Sequence, residues 1–183
     1  MCPLERMHAA YGSMVAVTMR VRLESALSET GTTVTAFLEA LVGEPIDAHQ
    51  RRHGTVVAGT ANLLGVEAGH LLVERSAVLQ GRRSAQTFVN AETLLVPSRL
   101  PTAFCRRLWT SADPIGRIMA EEGIDFTRSR PWSPEGRRPT ASDGFEAPDE
   151  YLLARTYLIE IDGSPVMEIT EWFLPSLELF LRA

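Results

Sequence analysis

Lysine is missing altogether: all 18 basic side chains are arginines. That absence excludes Schiff-base chemistry on a side-chain amine, and with it a lysine-anchored pyridoxal cofactor. Arginine is always charged and forks onto carboxylates, so its exclusive use suits anion binding, although a GC-rich coding bias is the better explanation for most of these residues. Cysteine is scarce: Cys2 lies near the terminus and Cys105 in a helix-like run, with no metal spacing and no disulfide framework. The four histidines, His8, His49, His53 and His70, form no zinc pattern. His49 and His53 are four residues apart, but Gly54 and the β-leaning neighbours argue against a helix there, so both read as surface residues. No metal site is expected. No apolar run approaches the length of a membrane span, and YGSMVAVTM, bounded by Arg20 and Arg22, is a poor signal peptide. The expected location is the cytoplasm, away from membranes. A net charge of −5 disfavours a nucleic-acid partner.

What is present is ordinary for a globular protein. Of 183 residues, 45% are apolar and 22% charged, enough for one domain over 1–183 with a real core. Val15–Glu29 has helical apolar spacing at Val17, Val21, Leu23 and Leu27. Thr32 or Thr33 can cap a short second helix with Val34, Phe37, Leu38 and Leu41 on one face, stopped by Gly43. Pro45–Arg52 reads as a strand and Gly59–Gly69 as a turn of helix. Two strands, LLVERSAVL and Ala85–Val96, flank a turn at Gly81–Ser84. Leu100–Trp109 reads as a helix. Ser111–Gly123 reads as another, with Ser111 or Asp113 as cap and Pro114 in the first helical position. Thr127–Glu150 is a long irregular stretch, of the kind that forms lids or disordered segments. Asp162-Gly163 then separates two β-rich runs as a hairpin turn. The sum is an α+β fold: one antiparallel sheet of about six strands with helices on one side.

Alternation along these strands isolates three charges. Glu171 shares a face with Met167, Ile169 and Phe173; Arg155 with Tyr157, Ile159 and Ile161; Arg75 with Leu71, Val73, Ala77 and Leu79. Charges on inward faces are costly unless paired. Two readings stand: they pair with each other and hold the sheet, or they form a polar pocket with two cations for an anion and one acid to work on it. The starts of the two helices near Thr33 and Pro114 would add outward N–H groups suited to an anion.

Three blocks carry a resemblance: RSAVLQGRRSAQTFVNAETLL, LPTAFCRRLWTSADPIGRIMAEEGI and ARTYLIEIDGSPVMEITEWFL, the last ending in Thr-Glu-x-Phe-Leu at Thr170–Leu174. In their order and residues they resemble the chorismate pyruvate-lyase family, above all its actinobacterial branch. The resemblance implies an antiparallel sheet with helices on one side and elimination of pyruvate from chorismate to give 4-hydroxybenzoate, without metal or organic cofactor. It also implies residue roles. Arg75 would hold the aromatic carboxylate, assisted by the backbone amides of Val34 and Ile115. Glu171 would contact the ring oxygen and act in catalysis. Arg155 occupies a position that is arginine in the family; as a second cation it would stabilise charge on the enolpyruvyl oxygen or bind its carboxylate, and for both Glu171 and Arg155 a purely binding role stands as the alternative. The enterobacterial members carry a further arginine on the second strand, where AQTFVNAE has none, so the second carboxylate lacks an assigned partner.

Two alternatives are distinct. One is a related enzyme acting on another chorismate-like or aryl acid in secondary metabolism. The other is a non-catalytic small-molecule sensor, because the effector domains of GntR-type regulators share the implied fold; DNA binding by the chain would favour that reading.

Overall fold

The computed structural model describes residues 17–27, 33–60, 62–111, 113–129 and 148–181. In chain order they form helix α1 (17–27), α2 (Val34–Val42), strands β1 (Ile46–Val57), β2 (Leu71–Gly81) and β3 (Thr87–Leu95), helices α3 (Thr102–Thr110) and α4 (Ile115–Glu121), strands β4 (Thr127–Arg128), β5 (Leu153–Ile161) and β6 (Ser164–Phe173), and a last turn α5 (Glu178–Leu181). All strand pairs are antiparallel, in the order β1-β2-β3-β6-β5-β4. This is the expected α+β fold.

Local chemistry sets several elements. The Thr33 hydroxyl accepts from the Ala36 amide at 3.2 Å and caps α2, and Gly43 ends it in the left-handed conformation (φ 71°). Asp162 and Gly163 both take positive φ, 51° and 74°, as a type I′ hairpin turn requires. Gly123 (φ 61°) closes α4, with Ile124 N–H reaching back to the Met119 carbonyl.

Several expectations need correction. The buried stripe of α1 is Met19, Leu23 and Leu27, while Val17 and Val21 are exposed. β1 runs on past Arg52 to Val57, because a bulge between Gln50 and Arg52 absorbs the irregularity. The same bulge puts His49 opposite Val78 and His53 opposite Arg75, hence on opposite faces. Residues 59–60 and 62–69 are not helical: the Asn62 side chain bonds the Gly59 and Val66 carbonyls and the Val66 amide, competing with helix formation. Pro114 is the residue before α4 rather than its first, and neither Ser111 nor Asp113 caps the helix through its side chain. The irregular stretch also starts later than expected, since Thr127 and Arg128 pair with Glu160 and Ile159 on β5. Most of that stretch, and the Gly31 helix stop, lie outside the described residues.

Register arranges one face of β2, β3, β6 and β5 into four rows. They read Val73–Leu95–Met167–Ile159, Arg75–Thr93–Ile169–Tyr157, Ala77–Ala91–Glu171–Arg155 and Leu79–Val89–Phe173–Leu153. The helices pack on this face in two groups. α1, α2 and α5 cover the Leu79–Leu153 row. α3 and α4 cover the Val73–Ile159 row. The two middle rows lie between these cores. Ala77, Ala91 and Thr93 are too small to fill the gap, and it becomes a cavity. The reverse face carries Leu72, Leu94 and Leu158 against Ala58, Leu64 and Val66, together with Glu74, Glu92, Glu168 and Thr170.

Candidate active site

The cavity encloses about 700 Å³ of space between atoms, its mouth included. Its floor is the middle of the sheet, and its roof includes the starts of α2 and α4. Among the described residues the lining is mainly apolar, with three charged side chains: Arg75, Arg128 and Glu171.

Arg75 is 2% exposed. One of its terminal nitrogens donates to the Asp113 backbone carbonyl at 2.9 Å. Nε and Nη1 are buried without a hydrogen-bond partner among the described residues. Burial pushes the guanidinium below its ordinary value and the nearby Asp113 charge opposes this; arginine starts high enough to stay a cation. The Asp113 carboxylate is held by Arg107 at 3.1 Å, so it does not bond Arg75. A buried cation with two unused donors is costly by itself. It is a strong place for an anion.

Glu171, 4% exposed, is braced on both oxygens. Arg155 Nε donates to Oε2 at 2.8 Å, and the Tyr157 hydroxyl donates to Oε1 at 2.9 Å. Burial, then the Glu171 charge, raise the Tyr157 phenol well above its ordinary value, so it remains a donor. Arg155 does not line the cavity. Its guanidinium lies 5.2 Å from the Tyr157 ring centroid and 5.4 Å from that of Phe173, behind Glu171. The pairing reading thus holds in part. Arg155 and Glu171 pair with each other; Arg75 does not join them and faces the cavity.

Val34 and Ile115 are the first residues of α2 and α4, and both line the cavity. First-turn N–H groups lack intrahelical partners. The two helix starts lie close because Gly116 has no side chain: a Cβ there would be 2.7 Å from Thr33 Cγ2 and 2.8 Å from Thr33 Cβ. Arg117 adds an ion pair to Glu39 of α2 at 3.6 Å.

His53 is not the surface residue expected. Its ring stacks on Trp109, centroids 3.8 Å apart, opposite Arg75 in register. Burial, then the Arg75 charge, lower its pKa, so it is neutral. Sequence reasoning also missed Arg128, Tyr157 and Gly116. Tyr157 had a signal, two residues beyond Arg155 on the same face; Arg128 and Gly116 had none.

Among the described residues no three His, Cys, Asp or Glu side chains converge as metal ligands, and no helix is long and apolar enough to cross a membrane.

Comparison with known proteins adds the following. The family model described as "Chorismate pyruvate-lyase Rv2949c-like" matches residues 29–181. A chorismate pyruvate-lyase of Mycobacterium tuberculosis is 33% identical over 108 residues, 58% of this chain and 54% of that protein. One from Mycobacterium leprae is 31% identical over 155 residues, 82% of this chain and 73% of that protein. The chain thus spans about half the length of the first of these relatives. Among solved structures, PhnF from Mycobacterium smegmatis is similar in fold, with a TM-score of 0.50 and 14% identity over 81% of this chain and 66% of that one.

Proposed function

The chain belongs to the Rv2949c-like chorismate pyruvate-lyase family, and on that premise we propose that it eliminates pyruvate from chorismate to give 4-hydroxybenzoate. The observation that carries the reading is Arg75, a buried cation with two unused donors, in the same cavity as a braced carboxylate, Glu171. An anion and a hydroxyl on one small ring would satisfy both.

Chorismate is a dianion whose ring is poised to become aromatic. The C–H bond at the hydroxyl-bearing carbon breaks and its electron pair enters the ring. The neighbouring C–O bond to the enolpyruvyl group breaks, and the departing enolate takes up a proton to become pyruvate. Aromatisation drives the reaction, so the protein has mainly to position and polarise. Arg75, with the amides of Val34 and Ile115, anchors the ring carboxylate. Glu171 accepts a hydrogen bond from the ring hydroxyl and stands as the candidate acceptor for the departing proton. Arg155, behind Glu171, acts through it as a positioning residue, and Tyr157 fixes the other carboxylate oxygen. The resemblance implies that no cofactor is needed, and cytoplasmic chorismate is the proposed substrate.

The test is purified protein with chorismate and chelator, following pyruvate by a coupled assay and the aromatic product by chromatography. Equimolar pyruvate and 4-hydroxybenzoate above the spontaneous rate is the expected result. Saturable binding of 4-hydroxybenzoate without turnover would overturn the lyase reading in favour of a sensor. Turnover of another enolpyruvyl or aryl acid, and none of chorismate, would assign a related enzyme.

A further inference from the structure

With Arg155 committed to Glu171, the enolpyruvyl oxygen that leaves the ring needs another donor. We infer that Thr93, at the centre of the cavity floor, supplies it: its hydroxyl donates a hydrogen bond to the ether oxygen on the ring carbon beside the hydroxyl-bearing one. The inference deepens the lyase reading and rests on it for the reaction, while its binding test stands apart from turnover.

Three observations carry it. The first is an unspent hydroxyl. Thr93 lines the cavity and is 4% exposed, and its hydroxyl has no hydrogen-bond partner among the described residues. The buried threonines of the reverse face, Thr156 and Thr170, bond each other at 3.0 Å. A buried hydroxyl is costly without a partner, so a ligand that displaces solvent from this cavity has to replace that bond or lose affinity.

The second is register. Thr93 stands opposite Arg75 on β2 and Ile169 on β6, and Ala91, two residues along the same face of β3, stands opposite Glu171. Strand β3 lies between β2 and β6. Arg75 and Glu171 are therefore two strand spacings and two residues apart, roughly 12 Å between Cα atoms, and the line joining them crosses β3 between Thr93 and Ala91. A ring whose carboxylate meets Arg75 and whose hydroxyl meets Glu171 lies over these two side chains. Ala91 offers only a methyl group. The third is that the other lining hydroxyls are engaged or placed elsewhere. Thr33 caps α2, Tyr157 donates to Glu171, and Thr35 belongs to α2 in the roof.

The chemistry follows. As the C–O bond breaks, its electron pair moves onto the ether oxygen, which becomes the oxygen of the departing enolate. A donor already in place strengthens as that charge grows. The proton stays on Thr93, and no cation is spent on the leaving group. 4-Hydroxybenzoate has no ether oxygen, so Thr93 helps the bond to break and adds nothing to product binding.

The experiment is binding calorimetry with two ligands of matched shape that cannot react, 4-hydroxy-3-methoxybenzoate and 3-ethyl-4-hydroxybenzoate, followed by turnover of chorismate. Wild type is expected to prefer the methoxy ligand by about 3- to 10-fold, the worth of one neutral hydrogen bond. Thr93→Val keeps the shape and loses the hydroxyl; it should abolish that preference, leave 4-hydroxybenzoate affinity within about threefold, and lower kcat by about 100-fold. Thr93→Ser should keep the preference and most of the rate. No preference in wild type, or one unchanged in Thr93→Val, would overturn the contact. A wild-type kcat in Thr93→Val would overturn the leaving-group role. Equal loss of all three ligands in both variants would make Thr93 a structural residue and also overturn it. A wild-type preference that Thr93→Val abolishes, without turnover of chorismate by wild type, would refute the lyase reading and leave the Thr93 contact standing.

Discussion

The two faces of the sheet both bury acids, and they treat them differently. On the helix face, Glu171 has a donor on each oxygen and stands beside a cavity with Arg75. On the reverse face, Glu74 and Glu92 each keep one buried oxygen without a hydrogen-bond partner among the described residues. Arg52 reaches Glu74 only at 3.5 Å from an exposed position. Burial, opposed by Arg52 and reinforced by Glu74, pushes Glu92 up to about 8. A perturbed carboxylate is therefore not by itself a sign of a site. What marks the helix face is the combination of an acid held in one geometry, a cation with unused donors, and space between them.

That contrast can be broken or sharpened in order of effect. Arg75→Ala should weaken 4-hydroxybenzoate binding most, by about 100-fold, as expected for truncating a buried, hydrogen-bonded charge; calorimetry with unchanged affinity would remove the anchor. Gly116→Ala forces a methyl group against Thr33, and the overpacking should cost about 1–3 kcal/mol of stability while separating the two helix starts. A fall in Tm together with weaker ligand binding is expected; lost stability with intact binding would uncouple the helix starts from the site. Arg99 ties Leu64 on the reverse face to the β5–β6 hairpin by donating to the Leu64 and Pro165 carbonyls, each at 2.7 Å. Arg99→Ala should lower stability by about 1–3 kcal/mol in denaturant titrations and leave ligand affinity unchanged.

The smallest effect is a pH slope. Glu92 has its folded pKa raised from 4.5 to about 8, so between those values the folded state binds more protons than the unfolded one. This group's contribution is then most favourable below pH 4.5 and is lost progressively as the pH rises to about 8. Glu92→Gln should flatten that part of the stability profile and gain most over wild type near pH 8, with turnover unaffected. An unchanged profile would show that Glu92 is ionised in the folded state.

Much of this was legible because strands have a period of two. Arg75, Arg155 and Glu171 interrupt apolar alternations, and register brings all three to one face. Thr33, Gly43 and Asp162-Gly163 announce their turns by residue type alone. Other features depend on partners that no local pattern encodes. Alternation gives the face of Arg155 but not its depth, so its place behind Glu171 was hidden. Two residues of edge strand carry no periodicity, so the sequence alone places Arg128 in a loop. The Asn62 side chain turned an apparently helical run into an irregular one, and only the opposing Thr33 makes Gly116 necessary.

The most direct measurement is turnover of chorismate by wild type and Glu171→Gln at saturating substrate, with 4-hydroxybenzoate affinity measured alongside. The account predicts equimolar pyruvate and 4-hydroxybenzoate from wild type. For the variant it predicts a rate lower by at least about 100-fold, the usual worth of a positioned proton acceptor, with product affinity within a few fold of wild type. Wild-type turnover by Glu171→Gln would contradict it, leaving the cavity to bind and aromatisation to proceed without that carboxylate.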